Sequence, residues 1–494
     1  MTSVNLVDSA APLTADVVVV ATVSTADGVA LADGAAGVDA ALGGGLLAAL
    51  RAVEATGRAD EAIKIPTLGN GPVPLVVATG LGPGRPDTLE PEAVRRAVGA
   101  ALRGLRSAGR VAVAIGTGTD PDLIAAGCEG ALLGAYRFTR YKTTGRPTEL
   151  RRIDIAVAEP AQAAAKAAIR RSKIIAEAVN NTRDLVNTPA NILNPVTFAD
   201  YAREQGTAAG LEVEVLDERA LRRGRFGGIL AVGGGSQTPP RLVRLSYTPA
   251  RPRARAALVG KGITFDTGGL DLKRADMGAM KSDMAGAAAV IESVIAAARL
   301  KLPIAVTATV PMAENAVSGS SYRPSDIISL RDGRTVEIDN TDAEGRLILA
   351  DAILRACEDS PDCLIDTATL TGGQVVALGS GTSGVMGTED FRDRVVAVGS
   401  AAGESLWPMP MEPRLRNRLD SPVADIVNLP TDRSASMLVA GTFLKDFVPD
   451  GLDWVHIDIA GPAFLKSASG YNGEGGTGVI VRTIVACLAD LAAN

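Results

Sequence analysis

Short apolar runs separated by helix-like segments recur along this chain, and this alternation restricts the fold more than any other feature of the sequence. In the first 160 residues, helix-like stretches such as 92–109 separate such runs. The runs are rich in Val and Ile, end at Gly, Pro or charge, and lie at 15–23, 73–81, 110–116 and 153–159. This pattern is typical of α/β domains with parallel strands. Residues 1–160 are therefore predicted to form an N-terminal α/β domain.

A second α/β domain is predicted after an Ala-rich helical run. Residues 161–182 carry no strand signal and are predicted to be a connecting helix, whereas the Asn- and Pro-rich stretch 183–195 predicts a loop. The alternation then resumes and continues to residue 494. Its predicted strands lie at 254–260, 303–310, 334–339, 363–370 and 454–461, and its predicted helices at 286–300, 347–359 and 437–448.

Net charge and cysteine content disfavour several kinds of partner and structural site. The formal net charge is −6, which disfavours nucleic acid or an anionic membrane as the main partner, although RPTELRR (146–152) forms a local basic patch. No two of the four cysteines have CxxC spacing, so neither a thiolate zinc site nor a disulfide framework is predicted. No basic segment precedes the first apolar run, and no stretch reads as a membrane span, so we expect a cytoplasmic protein.

The octamer NTDAEGRL (340–347) places two carboxylates, Asp342 and Glu344, directly before Arg346. Residues two apart point away from each other on a helix but share one side of an extended segment. The stretch before the octamer reads as a strand and the stretch after it as a helix. Both acids are therefore predicted to lie beyond the carboxyl end of a strand, where open α/β sheets build their sites.

Further charged residues follow other predicted strands. Lys261, Asp266 and Lys273 lie in a Gly-rich segment after 254–260, and Asp283 lies near the start of an Ala-rich helix. If these segments converge, four carboxylates share a small volume and require compensation. Divalent cations are the usual compensation, and an oxygen-rich set suits Mn²⁺, Mg²⁺ or Zn²⁺.

Each of these residues also has a simpler interpretation. Asp342 and Glu344 suit a solvated turn that caps a helix, Asp283 could complement a helix dipole, and Lys261 could be a surface lysine. The single histidine, His456, alternates with apolar residues and is interpreted as a packed strand residue rather than a ligand. Several polar residues at separate strand ends are nevertheless hard to explain by packing, which favours a functional site.

At these residues the sequence resembles the leucyl aminopeptidase family of two-metal aminopeptidases. NTDAEGRL matches the family signature without a substitution. Further blocks match in the expected order, at 259–273, 280–286 and 365–372, with less specific ones at 183–191, 421–428 and 454–461. The resemblance covers residues 183–490. It implies a catalytic metallopeptidase domain at 183–494, with a mixed central sheet flanked by helices, and a macro-like N-terminal domain.

The resemblance also implies a role for each matching position. Two divalent ions, with Mn²⁺ favoured over Zn²⁺, Mg²⁺ or Co²⁺, would be held by Lys261, Asp266, Asp283, Asp342 and Glu344, with Asp266 and Glu344 bridging. Lys273 and Arg346 match the catalytic positions, and bicarbonate on the arginine would shuttle protons. The substrate-lining positions are Met280, Asn340, Thr369 and Leu370. A homohexamer is implied.

The activity expected from this resemblance is hydrolysis of N-terminal residues, leucine and other apolar residues preferred, from peptides with a free N-terminus. The nucleophile would be a metal-bridged hydroxide. Two other functions remain open at this point. Some family members also bind DNA, which the acidic charge disfavours here. A carboxylate-rich dinuclear phosphoesterase would also use two lysines and an arginine.

Overall fold

The computed structural model describes residues 2–71 and 73–493. Its contacts divide the chain into two compact units. The first extends to Asn180 and includes Lys466–Glu474, and the second comprises Asn181–Leu465 and the chain from Gly475 onward. The predicted domain boundaries at 160, 182 and 183 stay predictions.

The first unit is built on a largely parallel sheet. Its strands are β1 (Ser3–Asp8), β2 (Val17–Thr25), β3 (Gly28–Leu31), β4 (Ala62–Pro66), β5 (Leu75–Pro83), β6 (Arg110–Ala114) and β7 (Arg152–Val157). Its helices are α1 (Ala36–Ala41), α2 (Leu46–Ala52), α3 (Pro91–Arg103) and α4 (Pro121–Gly134). The strand order is β1-β7-β6-β2-β5-β4, with β3 paired to β2. Strand β3 runs antiparallel to β2, and β4 runs antiparallel to β5. The other neighbouring strands of this sheet are parallel.

Helix α5 (Ala163–Asn187) contains the boundary between the two units. The prediction of a loop from 183 was wrong for its first five residues, because they continue this helix. Leu185 and Val186 are buried there, so packing of the last helical turn outweighs the Asn-rich composition. The chain leaves the helix only as it approaches Pro189, a residue type that ends helices.

The second unit alternates strands and helices through most of its length. Its helices are α6 (Pro195–Ala208), α7 (Glu218–Arg223), α8 (Gly227–Gly233), α9 (Ala285–Leu300), α10 (Gly345–Cys357), α11 (Gly372–Leu378), α12 (Glu389–Ala401), α13 (Ser436–Lys445) and α14 (Val481–Ala493). Its strands are β8 (Glu212–Leu216), β9 (Arg241–Tyr247), β10 (Arg255–Gly260), β11 (Gly262–Asp266), β12 (Ala305–Asn315), β13 (Ile327–Ser329), β14 (Thr335–Glu337), β15 (Cys363–Ala368), β16 (Ser383–Gly387), β17 (Leu406–Pro408), β18 (Ile426–Val427), β19 (Asp453–Asp458), β20 (Phe464–Leu465) and β21 (Gly475–Gly476).

The central sheet of the second unit is mixed. Its strand order is β17-β16-β19-β15-β10-β12-β9-β8, and β11 pairs with β12. The strands β19, β15, β10 and β12 run parallel, and antiparallel pairs flank them on both sides. Helices α9 and α10 are buried along most of their length against this sheet. The predicted fold class, two α/β units with a mixed sheet and helices, is confirmed.

One predicted strand belongs to a different sheet. The stretch 334–339 contains β14, but β14 pairs with β13 and β18 rather than with the central sheet. NTDAEGRL follows a strand, as predicted, but this strand lies outside the central sheet. A three-residue strand has the same apolar character in a small sheet as in a large one, so composition alone could not separate the two cases.

Small residues let helix α9 approach the central sheet very closely. A Cβ atom on Gly286 would lie 2.3 Å from the carbonyl oxygen of Thr367 in β15, and one on Gly260 would lie 2.6 Å from the oxygen of Gly286. Glycine in a helix costs about 1 kcal/mol relative to alanine. Here the close contact requires it, because a larger residue would overlap backbone atoms.

Within the described residues, no single helix is long and apolar enough to cross a membrane. In the part of the chain that the structure describes, one bent pair of segments, Asp33–Ala41 with Leu46–Ala52, is together long and apolar enough, with a bend of 98° between its parts.

Candidate metal centre

Lys261 follows β10 directly and lies at the centre of a buried cluster. Its backbone N–H donates to Thr367 in β15, and its carbonyl accepts from Ala287 in α9, so two elements fix its position. Its Nζ atom lies 2.9 Å from Asp283 Oδ1 and 2.7 Å from Glu344 Oε1. The residue is 2% exposed, which contradicts its interpretation as a surface lysine.

The three carboxylates around Lys261 control its ionisation. Burial lowers the pKa of Lys261, but Asp283, Glu344 and Asp266 raise it by more, so the pKa lies above its ordinary value. The lysine therefore carries a positive charge beside these acids. A lysine can bind a metal ion only as a neutral amine. If a dication binds here, Lys261 would have to lose its proton, and the dication would compensate the charge of the acids in its place.

Lys273 joins the other side of the cluster. Its Nζ lies 2.8 Å from Asp266 Oδ2 and also contacts Asp342 Oδ1 closely. Burial lowers the pKa of Lys273, and Asp266, Glu344 and Asp342 raise it further than burial lowers it. Burial, with Glu344 and Asp266 nearby, raises the pKa of Asp342. The two lysines thus link four acids into one network.

The donor set in this cluster fits a metal ion. Asp266, Asp342 and Glu344 each offer a carboxylate oxygen, and these oxygens lie within 4.8 Å of one another. Asp283 lies outside that group and joins it through Lys261. Among the described residues, no hydrogen-bond donor reaches the buried Asp283 Oδ2, whereas Glu344 Oε1 is paired with Lys261 Nζ. A buried carboxylate oxygen without a donor is suited to a hard cation.

The turn 340–344 brings the signature acids into the cluster. Asn340 Oδ1 accepts from the backbone N–H of Asp342 at 2.8 Å, which fixes a tight turn before α10. Glu344 occupies the N-cap of α10 but makes no capping hydrogen bond with its side chain, so the helix-capping interpretation was wrong for it. Gly345 has a steric purpose, because a Cβ there would lie 2.6 Å from Lys261 Cε.

Arg346 lies in the first turn of α10 and is 4% exposed. Its Nη1 donates to the carbonyl of Asn428 at 2.7 Å, and its guanidinium carbon lies 5.9 Å from the ring centre of Phe443. No partner for Nε occurs among the described residues. Burial lowers the pKa of Arg346 to about 10, which still leaves the side chain charged at neutral pH.

The predicted substrate-lining residues lie near this network. Thr369 donates from Oγ1 to Asp283 Oδ1 at 2.7 Å, and its carbonyl accepts from Lys261 Nζ at 3.1 Å. The backbone N–H of Leu370 donates to Asp458 Oδ1 at 3.1 Å. Met280 is half-buried in the 3₁₀ helix Met277–Ser282 that leads to Asp283. Asn340 is half-buried in the signature turn.

His456 lies fully buried in β19, as its alternating sequence context predicts. Its Nδ1 contacts Asp366 Oδ1, and the other oxygen of Asp366 accepts from Trp454 Nε1 at 2.8 Å. Burial lowers the pKa of His456, and Asp366 raises it by more. The histidine is thus part of a packed polar group beside β15.

Sequence reasoning missed several residues that hold the site together. The side chain of Asn428 accepts from the N–H of Asp339 at 2.8 Å and donates to the carbonyl of Asn340 at 2.7 Å. Asp271 Oδ2 accepts from the N–H of Thr341 at 2.7 Å. Asn315 and Asp458 also contact site segments. The available signal was a polar residue at the end of an apolar run, as in PIAVTATVPMAEN and ADIVN.

Comparison with known sequences agrees with this geometry. Residues 180–485 match the sequence family described as "Cytosol aminopeptidase family, catalytic domain", and residues 17–145 match its N-terminal domain. A "Probable cytosol aminopeptidase" of Rhodococcus jostii (strain RHA1) is 51% identical over 97% of this chain and 95% of its own length. One of Mycobacterium tuberculosis (strain ATCC 25177 / H37Ra) is 48% identical over 90% of this chain and 88% of its own.

The chain belongs to the cytosol aminopeptidase family. It is a metal-dependent aminopeptidase, a hydrolase that acts on peptides. The relatives' names favour this activity over the phosphoesterase alternative.

Two enzymes of known structure share this fold. A point mutant of tomato leucine aminopeptidase has a TM-score of 0.88 and 28% identity, and the match covers 99% of this chain and 97% of that one. "Bottromycin maturation enzyme BotP" has a TM-score of 0.84 and 34% identity over 97% of this chain and all of the other. That enzyme is also known in complex with Mn.

Proposed function

We propose that this cytosol aminopeptidase family member removes N-terminal residues, preferentially leucine and other apolar ones, through a site for two divalent ions. Lys261, Asp266, Asp283, Asp342 and Glu344 would hold the ions, with Asp266 and Glu344 shared between them. The convergence of four acids on the ammonium groups of Lys261 and Lys273 supports the proposal most strongly. Mn²⁺ is the proposed ion, in line with the Mn complex of BotP.

The bound ions would polarise the scissile carbonyl and lower the pKa of a water molecule toward neutrality. Lys273 would donate a hydrogen bond to the oxyanion that forms from that carbonyl. In the metal-free protein Lys273 is protonated, because Asp266, Glu344 and Asp342 raise its pKa. Its side chain is 18% exposed, so a substrate can reach it from solvent.

Arg346 would hold bicarbonate as the proton acceptor of the reaction. Its Nη1 is engaged by Asn428, whereas its Nε has no partner among the described residues. A planar guanidinium binds a carbonate-shaped anion through two parallel hydrogen bonds. His456 is not available for proton transfer, because it is fully buried against Asp366.

Residues around the network would line the substrate site. Thr369 is hydrogen-bonded to Asp283 and Lys261, so its position depends on the cluster itself, whereas the backbone of Leu370 is held by Asp458. Met280, together with Asn340, would complete the lining. An apolar contact such as Met280 favours an apolar N-terminal side chain.

The assembly and location of the enzyme are also proposals. A homohexamer would have six times the 50.5 kDa mass of the chain in light scattering. The name of the relatives supports a cytoplasmic location. The net charge of −6 disfavours DNA as a partner.

Hydrolysis of amino-acid p-nitroanilides tests the proposed activity directly. Leucine p-nitroanilide should be cleaved with Mn²⁺, should resist cleavage after chelation, and should be cleaved again when Mn²⁺ is restored. The Glu344→Ala variant should be inactive but folded. Activity that survives complete metal removal would contradict the proposed centre, and equal rates for leucine and lysine substrates would contradict the apolar preference.

A further inference from the structure

Asn315 ends strand β12 and connects two parts of the proposed metal centre. Its side-chain Nδ2 donates to Asp266 Oδ1 at 2.8 Å and to the carbonyl oxygen of Thr341 at 3.0 Å. The residue is 1% exposed. One buried amide group therefore joins a proposed metal ligand to the backbone of the signature turn.

The two acceptors fix the orientation of the Asn315 amide. A carboxylate and a backbone carbonyl can only accept, so the NH₂ group must face both of them. No donor reaches Asn315 Oδ1 from the described residues, although this oxygen is buried. An unpaired buried oxygen is unfavourable, and the preceding strand residues Met312 and Ala313 are fully buried and apolar. Packing alone would thus favour an apolar side chain at position 315.

The acceptors do not need Asn315 for a hydrogen-bond partner. The carbonyl of Thr341 also accepts from Tyr322 Oη at 2.6 Å, and Asp266 Oδ1 also accepts from the N–H of Gly268 at 2.9 Å. What Asn315 adds is a second N–H on the same oxygen of Asp266. Two donors from different segments prevent rotation of this carboxylate and direct Oδ2 toward Lys273 Nζ.

We propose that Asn315 is a positioning residue of the metal centre, which sets the orientation of the Asp266 carboxylate relative to the turn that carries Asp342 and Glu344. This inference rests on the proposed function, because it takes Asp266 as a ligand. Residues that hydrogen-bond to metal ligands orient them, and their loss typically lowers metal affinity by about 10- to 100-fold.

The test is Mn²⁺ binding to the chelated full-length protein, measured by isothermal titration calorimetry beside the Tm of the metal-free form. Asn315→Leu removes the donor while filling the same space. We expect its Kd for Mn²⁺ to rise about 10- to 100-fold, with the metal-free Tm unchanged or higher. Asn315→Ala should raise Kd similarly and provides the measurement if the leucine variant does not fold.

Glu314→Gln is the matched control. Glu314 is the preceding residue of β12, and its side chain accepts from Ser236 and Thr238 instead of the site. Its Kd should equal that of the wild type. A lower Tm with unchanged Kd in the Asn315 variants would overturn the inference and leave the proposed function intact. Absence of Mn²⁺ binding in the wild type would overturn both.

Discussion

Single residues in the signature octamer have separate physical tasks. Asp342 and Glu344 supply carboxylates, Asn340 closes the turn, and Gly345 leaves space for the side chain of Lys261. Gly345 is needed for this space because a Cβ at position 345 would lie 2.7 Å from Lys261 Nζ. The glycine in this motif is thus required by its neighbour rather than by its own backbone conformation.

Substitution of Gly345 by alanine should displace the end of Lys261 from Asp283 and Glu344. Because the overlap falls on the flexible end of a side chain, the fold should persist. We expect kcat/KM on leucine p-nitroanilide to fall by about tenfold or more with little change in Tm. Gly319→Ala is the control, since a Cβ there meets no atom within 4 Å. A Gly345→Ala enzyme with full activity would refute this role.

At the scale of elements, buried carboxylates join helices to neighbouring segments. Asp351 in α10 is 0% exposed, and its two oxygens accept from the N–H groups of Ile229 in α8 and Arg331. Burial raises the pKa of Asp351 to about 7, although the backbone N–H groups oppose this shift. The Asp351 carboxylate therefore links the first turn of α8 to α10. Ionisation of this buried group is unfavourable, so its effect on the stability of the protein depends on pH.

The pH dependence of stability should reveal this buried acid. In the unfolded chain Asp titrates near a pKa of about 3.9, so the folded protein binds an extra proton between about pH 4 and 7. The free energy of unfolding should therefore fall as pH rises through this window, by up to about 1.4 kcal/mol per pH unit. The Tm of the wild type relative to Asp351→Asn should decrease from pH 5 to pH 8.

Asp217 provides the matched control for this measurement. It also accepts from a helix N-terminus, at Ala220 in α7, but it is exposed, and this hydrogen bond lowers the pKa of Asp217. Asp217→Asn should follow the wild-type curve between pH 5 and pH 8. Parallel curves for the wild type and Asp351→Asn would show that Asp351 does not titrate in this window.

The central helices and strands were predictable from the sequence because apolar periodicity and polar ends coincide there. Strands β10 and β15 and helices α9 and α10 fall within a few residues of their predicted positions. The pairing of β14 with β13 and β18 in a separate small sheet was not predictable, since these strands are only two or three residues long. Asn315 and Asn428 were missed because an asparagine after a strand is typical of ordinary turns. Only the tertiary fold shows which backbone groups they contact.

At the scale of the whole molecule, metal binding should stabilise the folded chain. An ion that binds only the folded state adds about 2.7 kcal/mol at a free concentration 100 times its Kd. Addition of Mn²⁺ to chelated protein should therefore raise Tm by a few degrees. The Tm of Glu344→Ala should not respond, since this variant lacks the ligand proposed to be shared by both ions. Equal shifts in both proteins would indicate that Mn²⁺ binds elsewhere.

The contact between Arg346 and Asn428 has a consequence for synthesis of the protein. These residues are 82 positions apart, and the side chain of Asn428 also clamps the turn before Arg346. Ribosomes add roughly 5–20 residues per second, so Arg346 leaves the ribosome roughly 4–16 seconds before its partner. During that interval the nascent chain lacks the residue whose carbonyl accepts from Arg346 and whose side chain holds the turn before it. The arginine proposed to hold bicarbonate can therefore reach its final position only after residue 428 has been synthesised.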